Sequence, residues 1–135
     1  MHATAVSPDR TLLVSLEYDE PLKVALQTAL EETGLATAWL IGHGALREAT
    51  LATYDQDHLE AVPIDLDEPL EMPLLLGSVG KHTNLHATLA RASGQSLAGR
   101  LEAATVFGGE ALLWGFAESL DREPDPATGL PSLRS

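Results

Sequence analysis

The hydrophobic pattern divides this chain into one helical stretch and a long remainder of strand-like segments. Residues 11–17, Thr-Leu-Leu-Val-Ser-Leu-Glu, read as a strand. From Leu22 onward the apolar positions Leu22, Ala25, Leu26, Ala29 and Leu30 recur at three- and four-residue spacing. That spacing draws a single stripe down a helix of 3.6 residues per turn. Asp19 is expected to cap this helix, and Pro21 to sit in its first turn, where a missing N–H costs nothing. Gly34 is placed to end it in a left-handed conformation.

Beyond Gly34 the pattern is β. Strands are expected over 36–41, 49–54, 58–64, 70–79, 83–91, 95–103 and 105–116. Gly42-His43-Gly44 is expected to break the first two apart, and Asp55-Gln56-Asp57 to form a turn. Pro73, inside 70–79, marks an edge or a bulge because it lacks a ladder donor. Gly80-Lys81-His82 reads as a loop. The division expected is a loose lead-in over 1–10, one domain over 11–120 and a polar, turn-rich tail over 121–135. No internal repeat and no linker is visible.

Alternation fixes the register of one hairpin. Leu85, Ala87 and Leu89 point one way, and Asn84, His86 and Thr88 the other. On the following strand Leu97, Gly99, Leu101 and Ala103 oppose Ser96, Ala98, Arg100 and Glu102. Directly opposed residues share a face, so polar meets polar in only one parity of pairing. A loop at Ala92-Ser93-Gly94, with Gly94 left-handed, then sets His86 opposite Arg100 and Asn84 opposite Glu102.

Composition narrows the function classes. A chain of 135 residues with 44% apolar residues makes one domain with a real core. Eight Lys and Arg stand against 20 Asp and Glu, a formal net charge of −12, and no two basic residues are adjacent. Such a field repels phosphate backbones, so DNA is disfavoured as a partner. The absence of cysteine excludes disulfides, thiolate metal sites and cysteine nucleophiles. No apolar run approaches the roughly 18 residues a membrane span needs. The start, residues 1–9, lacks a basic segment followed by an apolar one, so the expectation is a cytoplasmic protein with no membrane partner.

Several chemical candidates carry little. His43 lies between two glycines, but the longer glycine pattern and following helix of a nucleotide site are missing. His58 beside Asp57 falls in a turn, and His2 in the lead-in. Asp65, Asp67, Glu68 and Glu71 read as a solvated acidic face. No serine sits in a nucleophile elbow.

One ordered set of segments carries more. It runs from Leu40-Ile-Gly-His-Gly-Ala-Leu-Arg-Glu-Ala-Thr-Leu51, with Tyr54-Asp55, to Leu70-Glu-Met-Pro-Leu-Leu-Leu-Gly77. The hairpin 84–101, Thr105-Val106, Glu110 and Asp125-Pro-Ala-Thr-Gly-Leu-Pro131 follow. Together these resemble the plant and prokaryote conserved (PPC) domain family, as a stand-alone bacterial member. The resemblance implies an α+β fold, with one main helix on a twisted, mostly antiparallel sheet of about seven strands, assembled as a homotrimer. Plant relatives add AT-hooks with an Arg-Gly-Arg-Pro core, which this sequence lacks. Prokaryotic relatives are often labelled predicted DNA-binding proteins, and the fold is reminiscent of the zinc-containing acetolactate decarboxylase.

Many prokaryotic members place His-x-His on one strand and Gly-Gly-His on the next, and in some these hold zinc. Carried over, the three positions here are Asn84, His86 and Arg100. An Asn carbonyl is a poor zinc ligand, and a protonated guanidinium has no lone pair and repels a cation. No metal and no other cofactor is therefore expected, unless a neighbouring subunit contributes His82 or an acid to hold zinc. An arginine fork, an imidazole and an amide suit a carboxylate or phosphate group instead. The bland reading is that Arg100 pairs with Glu102, Glu71 or a neighbour's carboxylate and His86 hydrogen-bonds within the trimer. The function expected is a non-catalytic module that binds a protein partner or a small anion at Asn84, His86 and Arg100. A DNA-associated regulator and a metal-dependent enzyme are the alternatives.

Overall fold

The structure is a computed structural model that describes residues 1–134. The elements run β1 (Pro8–Leu16), α1 (Leu22–Thr33), β2 (Thr37–Asp55), β3 (Glu60–Leu66), β4 (Leu70–Val79), β5 (Asn84–Ala90), β6 (Ser96–Phe116), β7 (Asp121–Pro124) and β8 (Pro131–Arg134). This is an α+β fold with six strands in one antiparallel sheet and two in a separate hairpin.

Two long strands form the spine. β2 and β6, of 19 and 21 residues, pair antiparallel with each other over most of their length. On its other edge β6 carries β1 along one half and β5 along the other. β2 likewise carries β4 and β3. β4 and β5 then pair together, so β2, β4, β5 and β6 close into a ring. Leu40, Leu51, Leu75, Leu85, Leu89 and Leu101 are all buried inside it. α1 closes the core with Leu22, Leu26 and Leu30 against β6, β1 and β4.

The helix follows its stripe, and Gly34 ends it in the left-handed region, φ 73°. Its start differs from expectation. Pro21, in extended conformation, is the N-cap, and no side chain caps the helix. Asp19 has φ 71° and gives its carboxylate to Arg47 instead. That hydrogen bond, helped by Tyr18, holds the Arg47 guanidinium even more firmly protonated than usual.

The break expected at Gly42-His43-Gly44 does not occur, because β2 runs straight through. A Cβ at Gly42 would lie 2.7 Å from the Glu110 carbonyl oxygen, and one at Gly44 would lie 2.7 Å from Gly109 Cα. These glycines admit the β6 backbone at close quarters; they do not turn the chain. The segments 95–103 and 105–116 also fuse, into β6. Bulges accommodate the bending: Glu102 and Phe107 are extra residues of β6 against β2. Pro73 lies at the expected irregularity, where both ladders of β4 shift register.

Two ends of the chain are more ordered than their composition suggests. β1 starts at Pro8, inside the segment read as a loose lead-in. The tail folds into the β7–β8 hairpin, organised by Asp125. Its Oδ1 accepts the Ala127 N–H at 2.8 Å, and its carbonyl accepts those of Thr128 and Gly129. Among the described residues no helix is long and apolar enough to cross a membrane.

Candidate functional site

His86 stands directly across from Arg100 in the β5–β6 ladder, and the pairing continues through Thr88–Ala98 to Ala90–Ser96. Gly94 takes φ 86° in the connecting loop. Alternation thus sets this register correctly. The expected facing of Asn84 and Glu102 is not part of the ladder, which ends at Arg100. Glu102 bulges out of β6, and Asn84 pairs with Ser78 of β4.

The bulge decides what Arg100 touches. Glu102 Oε1 accepts from Arg100 Nε at 2.8 Å and lies 2.7 Å from Nη2. Both contacts fall on one carboxylate oxygen and on one edge of the guanidinium. The ion pair is about one-third exposed. It matches one of the pairings expected for Arg100; Glu71 takes no part in it.

Asn84, His86 and Arg100 all line one cavity of about 460 Å³. His86 is exposed, and the other two are half-buried. β2 adds to the lining through Ala52, which pairs with Arg100, and through Tyr54. The Tyr54 hydroxyl donates to the Thr128 carbonyl, which ties the tail to β2, and Leu130 and Pro131 of the tail join the lining. His86 also lines a neighbouring cleft of about 170 Å³ with Leu74 and Leu76.

Sequence reasoning missed Tyr54, Gln56, Leu130 and Pro131 as lining residues. Tyr54 shares a face with Ala52 by alternation, which was readable. That this face meets Arg100 depends on the β2–β6 pairing, and no local pattern announces it.

The remaining candidates lie elsewhere. His43 Nε2 is 3.4 Å from Glu110 Oε1, and both side chains are more than half exposed. His82 is exposed and outside the cavity lining. Asp65 accepts from the Thr50 hydroxyl at 2.9 Å, and Glu68 pairs with Arg91 at 2.8 Å. Among the described residues no three His, Asp or Glu side chains gather as a metal-binding group. Of Asn84, His86 and Arg100, only His86 offers a lone pair suited to zinc, so these three residues do not fit that ion.

A profile of the Plants and Prokaryotes Conserved (PCC) domain matches residues 3–115, and the chain belongs to this family. A metal-containing protein from Archaeoglobus fulgidus is 30% identical and superposes with a TM-score of 0.91, all of each chain being covered. A plant- and prokaryote-conserved (PPC) protein from Pyrococcus horikoshii is 24% identical, with a TM-score of 0.88 over 100% of this chain and 98% of that one. A candidate DNA-binding protein from Bacteroides thetaiotaomicron is 25% identical, with a TM-score of 0.82 over 92% and 91% of the two chains. No curated protein sequence matches the chain.

Proposed function

We propose that this chain is a non-catalytic, homotrimeric binding module that holds a small anion at Asn84, His86 and Arg100. The observation that carries this reading is that the three side chains line one cavity of about 460 Å³. An amide, an imidazole and a charged fork supply the hydrogen-bond donors a carboxylate or phosphate needs. Nothing in the cavity lining resembles a nucleophile with its base. The test is NMR of the His86 ring during titration with acetate and with phosphate. A saturable shift is expected, abolished by Arg100→Met. A flat response to both anions rejects the reading.

The trimer rests on one outer sheet face. Leu13, Trp39, Ile41 and Leu74 are 70%, 45%, 44% and 37% exposed there, beside half-buried Leu112 and Trp114. Contiguous apolar surface of this kind marks an interaction site. Leu74 and Leu76 share a cleft with His86, so a copy covering this face reaches the rim of the anion cavity.

Two relatives motivate other readings. The Bacteroides thetaiotaomicron protein is a candidate DNA-binding protein. A net charge of −12 argues against that role for this chain. Gel-shift binding that falls steeply with salt would favour it. The Archaeoglobus fulgidus protein contains metal. Arg100 argues against a cation in the cavity beside His86, and stoichiometric zinc in the purified protein would overturn that view.

A further inference from the structure

The lining of the cavity beside His86 divides by chain segment. β5 and β6 bring Asn84, His86 and Arg100. β2, β3 and the tail bring Ala52, Ala61, Leu130 and Pro131, small or apolar, with Thr53 and Gln56 as polar neighbours. The Tyr54 hydroxyl is already engaged by Thr128, so Tyr54 offers mainly its ring. A bare inorganic anion would use the β5–β6 donors and leave the apolar lining wet.

Charge limits the ligand further. Glu102 already neutralises Arg100 through Nε and Nη2, while Nη1 has no protein partner among the described residues. The chain around the site carries −12. Repulsion from that field grows in proportion to ligand charge, so polyphosphates are penalised several times over relative to a monoanion. One carboxylate can take the free edge of Arg100 and the Asn84 amide without a second cation. The volume, about 460 Å³, lies in the range of small-molecule pockets and exceeds what a bare carboxylate fills.

Resting on the reading of this cavity as an anion site, we infer that its ligand is a small monocarboxylate with a short apolar body. The carboxylate faces Asn84, His86 and Arg100, and the body lies between Ala61 and the tail residues Leu130 and Pro131. The β7–β8 hairpin is then a wall of the site that selects the body. Among the described residues its strands pair only with each other, and it meets the rest of the fold through the Tyr54–Thr128 hydrogen bond and a 3.2 Å Lys81–Asp121 ion pair.

Isothermal titration calorimetry on the intact chain, with acetate, butyrate, hexanoate, hexanol and phosphate as probes, tests this. Affinity is expected to rise with chain length, by about fourfold per methylene where burial is complete. Hexanoate should therefore bind about thirtyfold or more tighter than acetate, with phosphate weak and hexanol not bound. Leu130→Asn should flatten the dependence on chain length, whereas Arg100→Met should abolish binding of every acid. Circular dichroism checks that each variant is folded, and Asn84→Ala stands in for Arg100→Met if that variant is not. Equal binding of acetate and hexanoate, or phosphate as tight as hexanoate, would overturn the apolar-body inference and leave the anion site standing. Failure of every anion with the folded wild-type chain would overturn both.

Discussion

At the scale of single residues, Asp55 shows how neighbours alter a side chain. Its Oδ2 lies 2.8 Å from His58 Nδ1, and its Oδ1 accepts the backbone N–H groups of Asp57 and His58. These bonds favour the charged form, the His58 ring foremost, and hold the Asp55 carboxyl below the ordinary carboxylate range. A carboxyl depressed in the folded state adds stability that is fully present above its unfolded value, near pH 4. That stability is lost as pH falls through the lower, folded value. Carboxyl NMR is expected to show Asp55 titrating below the exposed aspartates, and His58→Ala to move its midpoint back up toward them. The same replacement should reduce stability at neutral pH and change it little well below the folded midpoint. An Asp55 midpoint unmoved by loss of the ring would show that the backbone donors alone set it.

At the scale of elements, the close approach of β2 to β6 is the feature most exposed to a single change. A methyl group at Gly44 would press on main-chain atoms of Gly108 and Gly109, which cannot swing aside as a side-chain end can. Gly44→Ala is expected to lower stability by about 3 kcal/mol, the upper part of the overpacking range. At Gly108 the corresponding space is open, and its φ is not left-handed. Gly108→Ala should be neutral or stabilise by about 0.5 kcal/mol by restricting the unfolded chain. Urea unfolding of the pair measures both, and equal effects would refute the packing argument. This crossing also marks where the sequence stops being legible. The α1 stripe, its end at Gly34, the irregularity at Pro73 and the His86–Arg100 register all come from periods and turn chemistry within about 20 residues. Glycines at 42 and 44 look alike whether they turn a strand or admit a neighbour, so β2 read as two pieces. Asp19 lost its capping role to Arg47, 28 positions away. The site divides the same way. Its donors were readable from one hairpin, whereas the walls given by Tyr54 and Leu130 depend on how β2 and the tail return to it.

At the scale of the whole molecule, two opposed terms set the proposed assembly. Burying Leu13, Trp39, Ile41 and Leu74 favours association at about 25 cal/mol per Å² of apolar surface. Bringing together three chains of −12 each opposes it. Apolar burial does not depend on screening at moderate salt, whereas charge repulsion does, with a Debye length of about 30 Å at 0.01 M and about 8 Å at 0.15 M. Light scattering at 0.15 M salt is expected to give about 43 kDa, three chains of 14.3 kDa. Dilution at 0.01 M salt should dissociate the trimer at higher protein concentration than dilution at 0.15 M. Ile41→Asp adds a charge to the apolar face and should leave a folded species near 14.3 kDa with unchanged circular dichroism. The direction of the salt effect is the sharpest part of this expectation. Binding to a nucleic acid weakens as salt rises because counterions are released. Self-association of a strongly acidic chain through an apolar face strengthens instead. One salt series, read by scattering and by gel shift on the same samples, therefore separates the two readings by sign. A mass that stays at 14.3 kDa across the series would leave the apolar face without a second copy to cover it.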